Sequence, residues 1–259
     1  MKNENDMEKK TVLITGATSG IGLGCARKFA QNGYKIILNG RKQDKLDAIK
    51  QELTATYDTE ICTLLFDVRD RKAAQSALEQ LPDEFKHIDV LVNNAGLVFG
   101  VDKEWEGNMD EWEIMLDTNI KGLLAMTRLV VPGMVERGRG HIINIGSIAG
   151  DQTYPGGSVY CATKAAVKML SDGLRIDLVD TPLRVTNIKP GLVETNFSVT
   201  RYRGDKTAAD KVYQGIHPLN GDDIAEVVYW TASVPDYMQI AEVLVLPTNQ
   251  ATGTIVYRK

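Results

Sequence analysis

Thr15-Gly16-Ala17-Thr18-Ser19-Gly20-Ile21-Gly22 is the stretch that decides the architecture. An apolar, β-branched run over residues 11–14 leads into it, and a helical pattern over 20–32 begins inside it. Glycines at such a junction let the chain turn tightly. They also let a pyrophosphate approach amides at a helix N-terminus, whose partial positive charge favours an anion. A dinucleotide is therefore the natural ligand. Three residues rather than one separate Gly16 from Gly20, so the spacing is not G-x-G-x-x-G, and a plain glycine turn is the competing reading of this element alone.

Outward from this turn, apolar runs alternate with helical patterns along almost the whole chain, which predicts βαβ units and a parallel sheet. The runs are 11–14, 35–38, 61–66, 90–92, 141–145, 184–188 and 242–246, giving seven strands. Helices are expected near 20–32, 42–56, 70–80, 109–137, 158–179 and 222–233. No repeat or low-complexity linker interrupts the series. The chain reads as a tail over 1–10 and one α/β domain over 11–259, with an insertion near 191–220 before the last helix.

A chain of 259 residues is long enough to bury a substantial core. Its net charge of −4 and lack of long basic blocks argue against a nucleic-acid groove or an anionic-membrane anchor, leaving small-molecule chemistry. The polar opening lacks an apolar segment of signal-peptide or membrane-spanning kind. Cys25, Cys62 and Cys161 are odd in number and lack C-x-x-C spacing, so neither a disulfide framework nor a zinc site is suggested, and a reducing cytoplasm fits.

Candidate site residues lie where expected strands end, the edge at which open α/β sheets bind ligands. After the second strand, Arg41 and Lys42 stand where an acidic residue would suit an unphosphorylated ribose. They offer cations for a 2′-phosphate, or simply begin a solvated helix. Asp67-Val68 ends the third strand, placing a carboxylate where an adenine amino group can donate to it; capping the next helix is the competing use, better filled by Asp70. Asn93-Asn94-Ala95-Gly96 closes the fourth, where backbone can approach a ligand or amides can stabilise a turn. The helix over 109–137 is apolar around most of its circumference, which favours a subunit interface as well as the sheet. Asn119 inside it needs partners, structural or catalytic.

Ser147 follows the fifth strand, thirteen residues ahead of Tyr160. Tyr160 and Lys164, four apart, share a helix face, where the ammonium is expected to lower the phenol's pKa from its ordinary ~10. A Ser-His-Asp hydrolase is disfavoured, because Gly146-Ser147-Ile148-Ala149-Gly150 is not G-x-S-x-G and none of His87, His141 and His217 is marked as a base. Cys161 likewise has no base beside it in sequence.

Together T-G-x-x-x-G-x-G at 15–22, N-N-A-G at 93–96, Asn119, Ser147 and Y-x-x-x-K at 160–164, with Pro190-Gly191, resemble the short-chain dehydrogenase/reductase family over residues 10–250. The resemblance implies a Rossmann-type, doubly wound sheet and hydride transfer between an alcohol and a carbonyl. It makes Tyr160 the acid/base, helped by Lys164, which also holds the nicotinamide ribose. Ser147 would hold the carbonyl oxygen, and Asn119 a water-linked proton path through Lys164. Gly16, Thr18, Ser19, Gly20, Ile21, Gly22, Arg41, Lys42, Asp67, Val68, Asn93, Asn94, Ala95, Gly96, Pro190, Gly191, Val193 and Thr195 match cofactor segments, Thr195 at the carboxamide.

Longer phrases, 138–146, 154–160, 194–198 and 201–205, are similar to the NADP-dependent 3-hydroxy acid dehydrogenases acting on serine and L-allo-threonine, which are typically tetramers. That likeness implies NADP rather than NAD, a small hydroxy acid or keto acid as substrate, and a homotetramer. A substrate carboxylate needs a cation, and Arg201 and Arg203 are the candidates, with two solvated loop arginines as the bland alternative. Another ketone as substrate (a 3-oxoacyl thioester, a sugar, a steroid) and a non-catalytic NADP(H)-binding regulator are the competing functions. The apolar residues within 248–259, beyond the last strand, are compatible with a crossing onto a neighbouring subunit, which the sequence alone leaves open.

Overall fold

Every residue of the first strand is buried, which assigns it the middle of the sheet. In the computed structural model, which describes residues 9–259, strand β1 (Thr11–Ile14) is flanked by β2 (Lys35–Gly40) and β4 (Val90–Asn93). With β3 (Ile61–Leu65), β5 (His141–Ile145), β6 (Arg184–Pro190) and β7 (Glu242–Val245), they form one parallel seven-stranded sheet in the order β3-β2-β1-β4-β5-β6-β7. The chain reverses direction across the sheet between β3 and β4, so the crevice beyond the C-terminal ends of β1 and β4 is the switch point where such sheets take ligands.

Alternate strand residues feed opposite faces. Val12 and Ile14 pack with Cys25 and Phe29 of α1 (Gly20–Gln31), Leu46 and Leu53 of α2 (Gln43–Thr56), and Ile224 and Val228 of α9 (Gly221–Ser233). Leu13 and Ile37 pack on the other side with Ala74 of α3 (Arg71–Glu79) and Met126, Val130 and Met134 of a long helix. Each large apolar side chain removed from water contributes roughly 1.5–3 kcal/mol before entropy is counted.

That long helix differs from the continuous one expected over 109–137. It forms as α4 (Met109–Leu116), a π-helical turn (Asp117–Gly122) and α5 (Leu123–Arg137). The wide turn carries Asn119, whose side chain grips another segment, and such turns commonly mark functional sites. α6 (Ser158–Asp177) packs on the same side of the sheet through Leu174. Leu124 and Val135 of α5 and Met169 and Ile176 of α6 stay exposed on this single chain.

The insertion is helical: α7 (Asn196–Arg201) and α8 (Lys206–Lys211) form a lid beside the sheet's C-terminal edge. Of the expected tail, residues 1–8 lie outside the described part. Lys9 and Lys10 are anchored rather than frayed, since Lys9 donates to the carbonyl of Asp58 at 2.9 Å and the carbonyl of Lys10 accepts from the Lys35 amide at 2.9 Å. The segment after β7 docks on its own chain, with the Lys259 amide 3.0 Å from the carbonyl of Gly215. Among the described residues no helix is long and apolar enough to cross a membrane, and no cluster suits a metal ion.

Candidate active site

Loops after the first six strands line one cavity of about 450 Å³. Its floor is the glycine turn. Gly16 and Gly20 both have positive φ, 64° and 54°, and a Cβ on Gly20 would press to 3.1 Å of the Thr195 methyl. Helix α1 starts there with no side-chain cap on its first amides and no acidic residue in its first turn. Those free N–H groups and the helix dipole form an anion seat.

Two asparagines hold the turn in place. Asn94 Nδ2 donates to the carbonyls of Thr15 at 2.8 Å and Gly16 at 3.1 Å. Asn39 Nδ2 donates to the carbonyls of Leu64 and Phe66 at 3.2 and 3.0 Å, tying β2 to β3 behind the turn. Gly22 is tucked into the helix, where a Cβ would collide with the carbonyl of Gly16; it serves close packing and does not line the cavity.

Arg41 lines the far end, its side chain 64% exposed and its Nη1 3.7 Å from Asp67, too long for a hydrogen bond. It remains available to an anion. Lys42, by contrast, precedes α2 and is not among the lining residues. Arg69, which the sequence reading overlooked, also lines the cavity and clasps Asp67 through Nε at 3.0 Å and Nη2 at 2.8 Å. Those bonds, chiefly from Arg69, hold the Asp67 carboxyl below its usual range despite partial burial. Asp67 thus enters the cavity already engaged by a guanidinium, and Asp70 caps α3 as expected, accepting from the Ala73 amide at 3.0 Å. Val68, Thr18, Ser19, Ile21, Ala95 and Gly96 all line the cavity.

Asn93 and Asn119 are not among the lining residues: both stand behind the wall. Asn93 is buried and donates to Asn144 Oδ1 at 2.9 Å. Asn119 Nδ2 donates to the Leu97 carbonyl at 2.9 Å and to Thr163 Oγ1 at 3.1 Å, while its Oδ1 accepts from the Leu97 amide at 2.9 Å. With its amide filled in this way, Asn119 fixes the Gly96-Leu97 backbone against α6.

At the opposite end, Ser147, Tyr160 and Lys164 face the cavity together with Pro190, Gly191, Val193, Thr195 and Phe197. Ser147 Oγ accepts from the Ala149 amide at 3.1 Å, which orients the hydroxyl. Lys164 Nζ donates to the Ile145 carbonyl at 2.8 Å. Burial drives the ammonium's pKa down to about 8. Tyr160 contradicts the spacing argument: burial, seconded by nearby Tyr154, pushes its phenol well above the ordinary range, and the hydrogen bond from Ser147 only partly opposes this. The resting phenol is therefore protonated, a donor aimed at any oxygen between Ser147 and Tyr160. That arrangement can protonate a carbonyl oxygen, or accept its proton in reverse. Cys161 is buried in the apolar cluster around Tyr160 and does not line the cavity.

The two lid arginines separate cleanly. Arg203, at φ 53°, donates to Glu111 through Nε and Nη2 at 2.8 Å and to Asp102 at 2.6 Å, which neutralises it. Arg201 joins none of the ion pairs among the described residues. Its guanidinium stacks 4.9 Å over the Tyr154 ring, donates to that hydroxyl at 3.3 Å, and keeps a buried Nε with no partner. Like Arg203, Arg201 is not among the residues that line the cavity; Tyr154, on which it stacks, packs in the cluster containing Tyr160, so the cation without a carboxylate lies beside the wall at the phenol's end.

The family model described as short chain dehydrogenase matches residues 10–206. The NADP-dependent 3-hydroxy acid dehydrogenase YdfG of Salmonella typhi is 48% identical over 249 residues, covering 95% of this chain and 99% of that protein. An NADP-dependent 3-hydroxy acid dehydrogenase of Schizosaccharomyces pombe is 44% identical over 254 residues, covering 98% of each. Among solved structures, the closed form of a serine dehydrogenase complexed with NADP+ superposes with a TM-score of 0.90 at 46% identity, covering 96% of this chain and 100% of that one.

Proposed function

The chain belongs to the short chain dehydrogenase family, and from that premise we propose that it is an NADP-dependent oxidoreductase moving hydride between NADP and the 3-hydroxyl of a small 3-hydroxy acid such as serine or L-allo-threonine. The observation that carries this reading is the joining of a protonated, buried Tyr160 and Ser147 at one end of the cavity to an uncapped helix N-terminus and exposed Arg41 at the other.

The cavity suits the cofactor. Amides of the Ser19-to-Ile21 turn would meet the pyrophosphate, and Arg41, with Arg69 beside it, the 2′-phosphate. Lys164 would hold the nicotinamide ribose, and Thr195 the carboxamide. NADP supplies the hydride acceptor, or as NADPH the donor. The protein's residues supply the rest. Ser147 and Tyr160 orient the substrate oxygen; Tyr160 gives its proton as charge grows there during reduction and takes it back during oxidation. Asn119 keeps the Gly96-Leu97 wall and Thr163, next to Lys164, in register. Arg201, the lid cation free of a carboxylate, faces the substrate's carboxylate; Arg203 is spent on Asp102 and Glu111.

The exposed apolar residues of α5 and α6, Leu124, Val135, Met169 and Ile176, support assembly as a homotetramer through these helices. The three free cysteines accord with a cytoplasmic location.

A substrate panel tests the reading. Serine, L-allo-threonine and 3-hydroxypropionate should each give saturable reduction of NADP, with NAD much poorer and simple uncharged alcohols inactive. Turnover of ketosteroids, sugars or 3-oxoacyl thioesters with none of the hydroxy acids would reject it.

A further inference from the structure

Beyond β7 the chain folds into a small hairpin that touches the loops around the reactive end of the cavity. The hairpin closes through the Ala251 amide on the Ile255 carbonyl and the Tyr257 amide on the Asn249 carbonyl, each at 2.9 Å. One arm holds the loop after β6: Gln250, 6% exposed, accepts from the Leu192 amide at 2.8 Å, and its amide fills the space that a Cβ on Gly191 would need. The other arm holds the exit of the lid. Arg258 Nη1 donates to the carbonyls of Val212 at 3.0 Å and Gln214 at 2.6 Å, and the Lys259 amide donates to Gly215 at 3.0 Å. Gly215 has φ 72° and lies so close to this arm that a Cβ would sit 2.7 Å from the Lys259 carbonyl.

Arg258 thus grips the two carbonyls that flank Tyr213. The Tyr213 hydroxyl is itself doubly engaged, 2.6 Å from Ser198 Oγ and donating to the Val193 carbonyl at 2.9 Å. Ser198 follows Phe197, whose ring meets the Tyr160 ring edge-on at 5.6 Å between centroids, and Val193 lines the cavity. One continuous set of contacts runs from the hairpin, through Tyr213, to the wall that faces the phenol. Carbonyls past the last turn of α8 have no partners within that helix, so without the guanidinium the Lys259 amide on the Gly215 carbonyl is what the hairpin has left to hold the lid's exit.

We propose that Arg258 is a positioning residue: acting through Tyr213, it sets the seat of Phe197 and the α7–α8 lid over the substrate end of the cavity. This rests on the reading of Tyr160 as the acid that faces substrate there. Arg258 is exposed and touches neither cavity nor sheet, so its removal leaves the core intact.

The test compares Arg258→Ala, Arg258→Lys, Tyr213→Phe and the Arg258→Ala/Tyr213→Phe double variant of the full chain. The readouts are kcat and KM for serine or 3-hydroxypropionate, NADPH affinity, Tm, and amide hydrogen exchange across 196–215. Arg258→Ala should lower kcat/KM at least tenfold, mainly through KM, and speed exchange in the lid at least tenfold. NADPH affinity should stay within twofold and Tm within a few degrees. Arg258→Lys should recover part of the loss, and the double variant should lose little more than either single one, because both break one path. Wild-type kcat/KM or wild-type lid exchange in Arg258→Ala overturns the assignment, as does full additivity in the double variant. A wild-type enzyme inert toward every hydroxy acid would instead reject the functional reading, and lid exchange would then decide the role of Arg258 by itself.

Discussion

Lys164 Nζ lies 5.9 Å from the centroid of the Tyr160 ring while donating to the carbonyl of Ile145 at 2.8 Å. The ammonium is thus held beside the phenol by the end of β5 rather than by a carboxylate. Burial raises the phenol's pKa and lowers the ammonium's.

Tyr160→Phe keeps the ring that packs on Phe197 and deletes only the hydroxyl. Turnover should fall by at least about a thousandfold, within the usual span for losing a general acid, while NADPH binding by fluorescence titration stays near wild type. Near-normal turnover would remove Tyr160 from the mechanism.

Oxidation of the alcohol needs phenolate beside ammonium, a form one proton short of the resting pair. Below about pH 8, where Lys164 is charged, log(kcat/KM) for oxidation should climb by about one per pH unit; above it the pair has already lost a proton, from Lys164, and the curve should flatten. Reduction needs the proton that burial retains on Tyr160, so it should change little between pH 6 and 8. A climb in the oxidative profile that continues at full slope to pH 10 would contradict the assignment.

Burial of Lys164 carries a stability cost. Its pKa falls from 10.5 to about 8 on folding, so between these values the unfolded chain binds more protons and stability rises with pH. Below pH 8 the full cost, about 3 kcal/mol, is present. Lys164→Met removes it but strands the Ile145 carbonyl, so urea unfolding at pH 7 should show a net gain of about 1–2 kcal/mol. Activity should be lost in the same variant. Equal or lower stability at pH 7 would show that the ammonium is better solvated than its burial implies.

Arg41→Ala removes the exposed cation proposed to meet the 2′-phosphate. NADPH affinity should drop tenfold or more, about 1.4 kcal/mol or above, with NADH changed less than twofold. Losses of equal size would place the phosphate elsewhere, Arg69 being the next cation.

For the lid, Arg201→Met should raise KM for a 3-hydroxy acid by at least thirtyfold and leave kcat within a few-fold, as expected when binding common to ground and transition states is lost. Arg203→Met, which breaks only the contacts to Asp102 and Glu111, should leave KM near wild type. The reverse ranking would exchange their roles.

The sheet was legible because strands buried on both faces are rich in apolar residues without strict alternation, and residues 11–14 and 141–145 read that way, with Thr11, His141 and Asn144 as polar exceptions. The glycine turn and Tyr160-to-Lys164 spacing were legible because backbone approach and helix periodicity leave fixed offsets. The π turn at Asn119 was not, since one extra residue in a helix leaves no compositional mark. Spacing showed the cation near Tyr160 but not its burial, so the direction of the phenol's shift came out reversed. Arg201 and Arg203 are the same residue type two positions apart, and what separates them, Asp102 and Glu111, lies some ninety to a hundred positions earlier. Asn93 and Asn94 are likewise adjacent and identical, yet one faces the core and the other the turn.

The pairing of Val12 with Val90 in β1 and β4 has a consequence for the chain during its synthesis. The glycine turn, the amides at Asn94, Ser147 and Thr195 come from segments spread across most of the sequence, and none forms part of the cavity until the central strands have met. Parallel pairing of this kind cannot nucleate locally. From the emergence of Gly22 to that of Thr195, at roughly 5–20 residues per second, a ribosome needs on the order of ten to thirty-five seconds. Throughout that interval the nascent chain presents a nucleotide turn without a nucleotide site, and cofactor can stabilise the protein only after folding is essentially done.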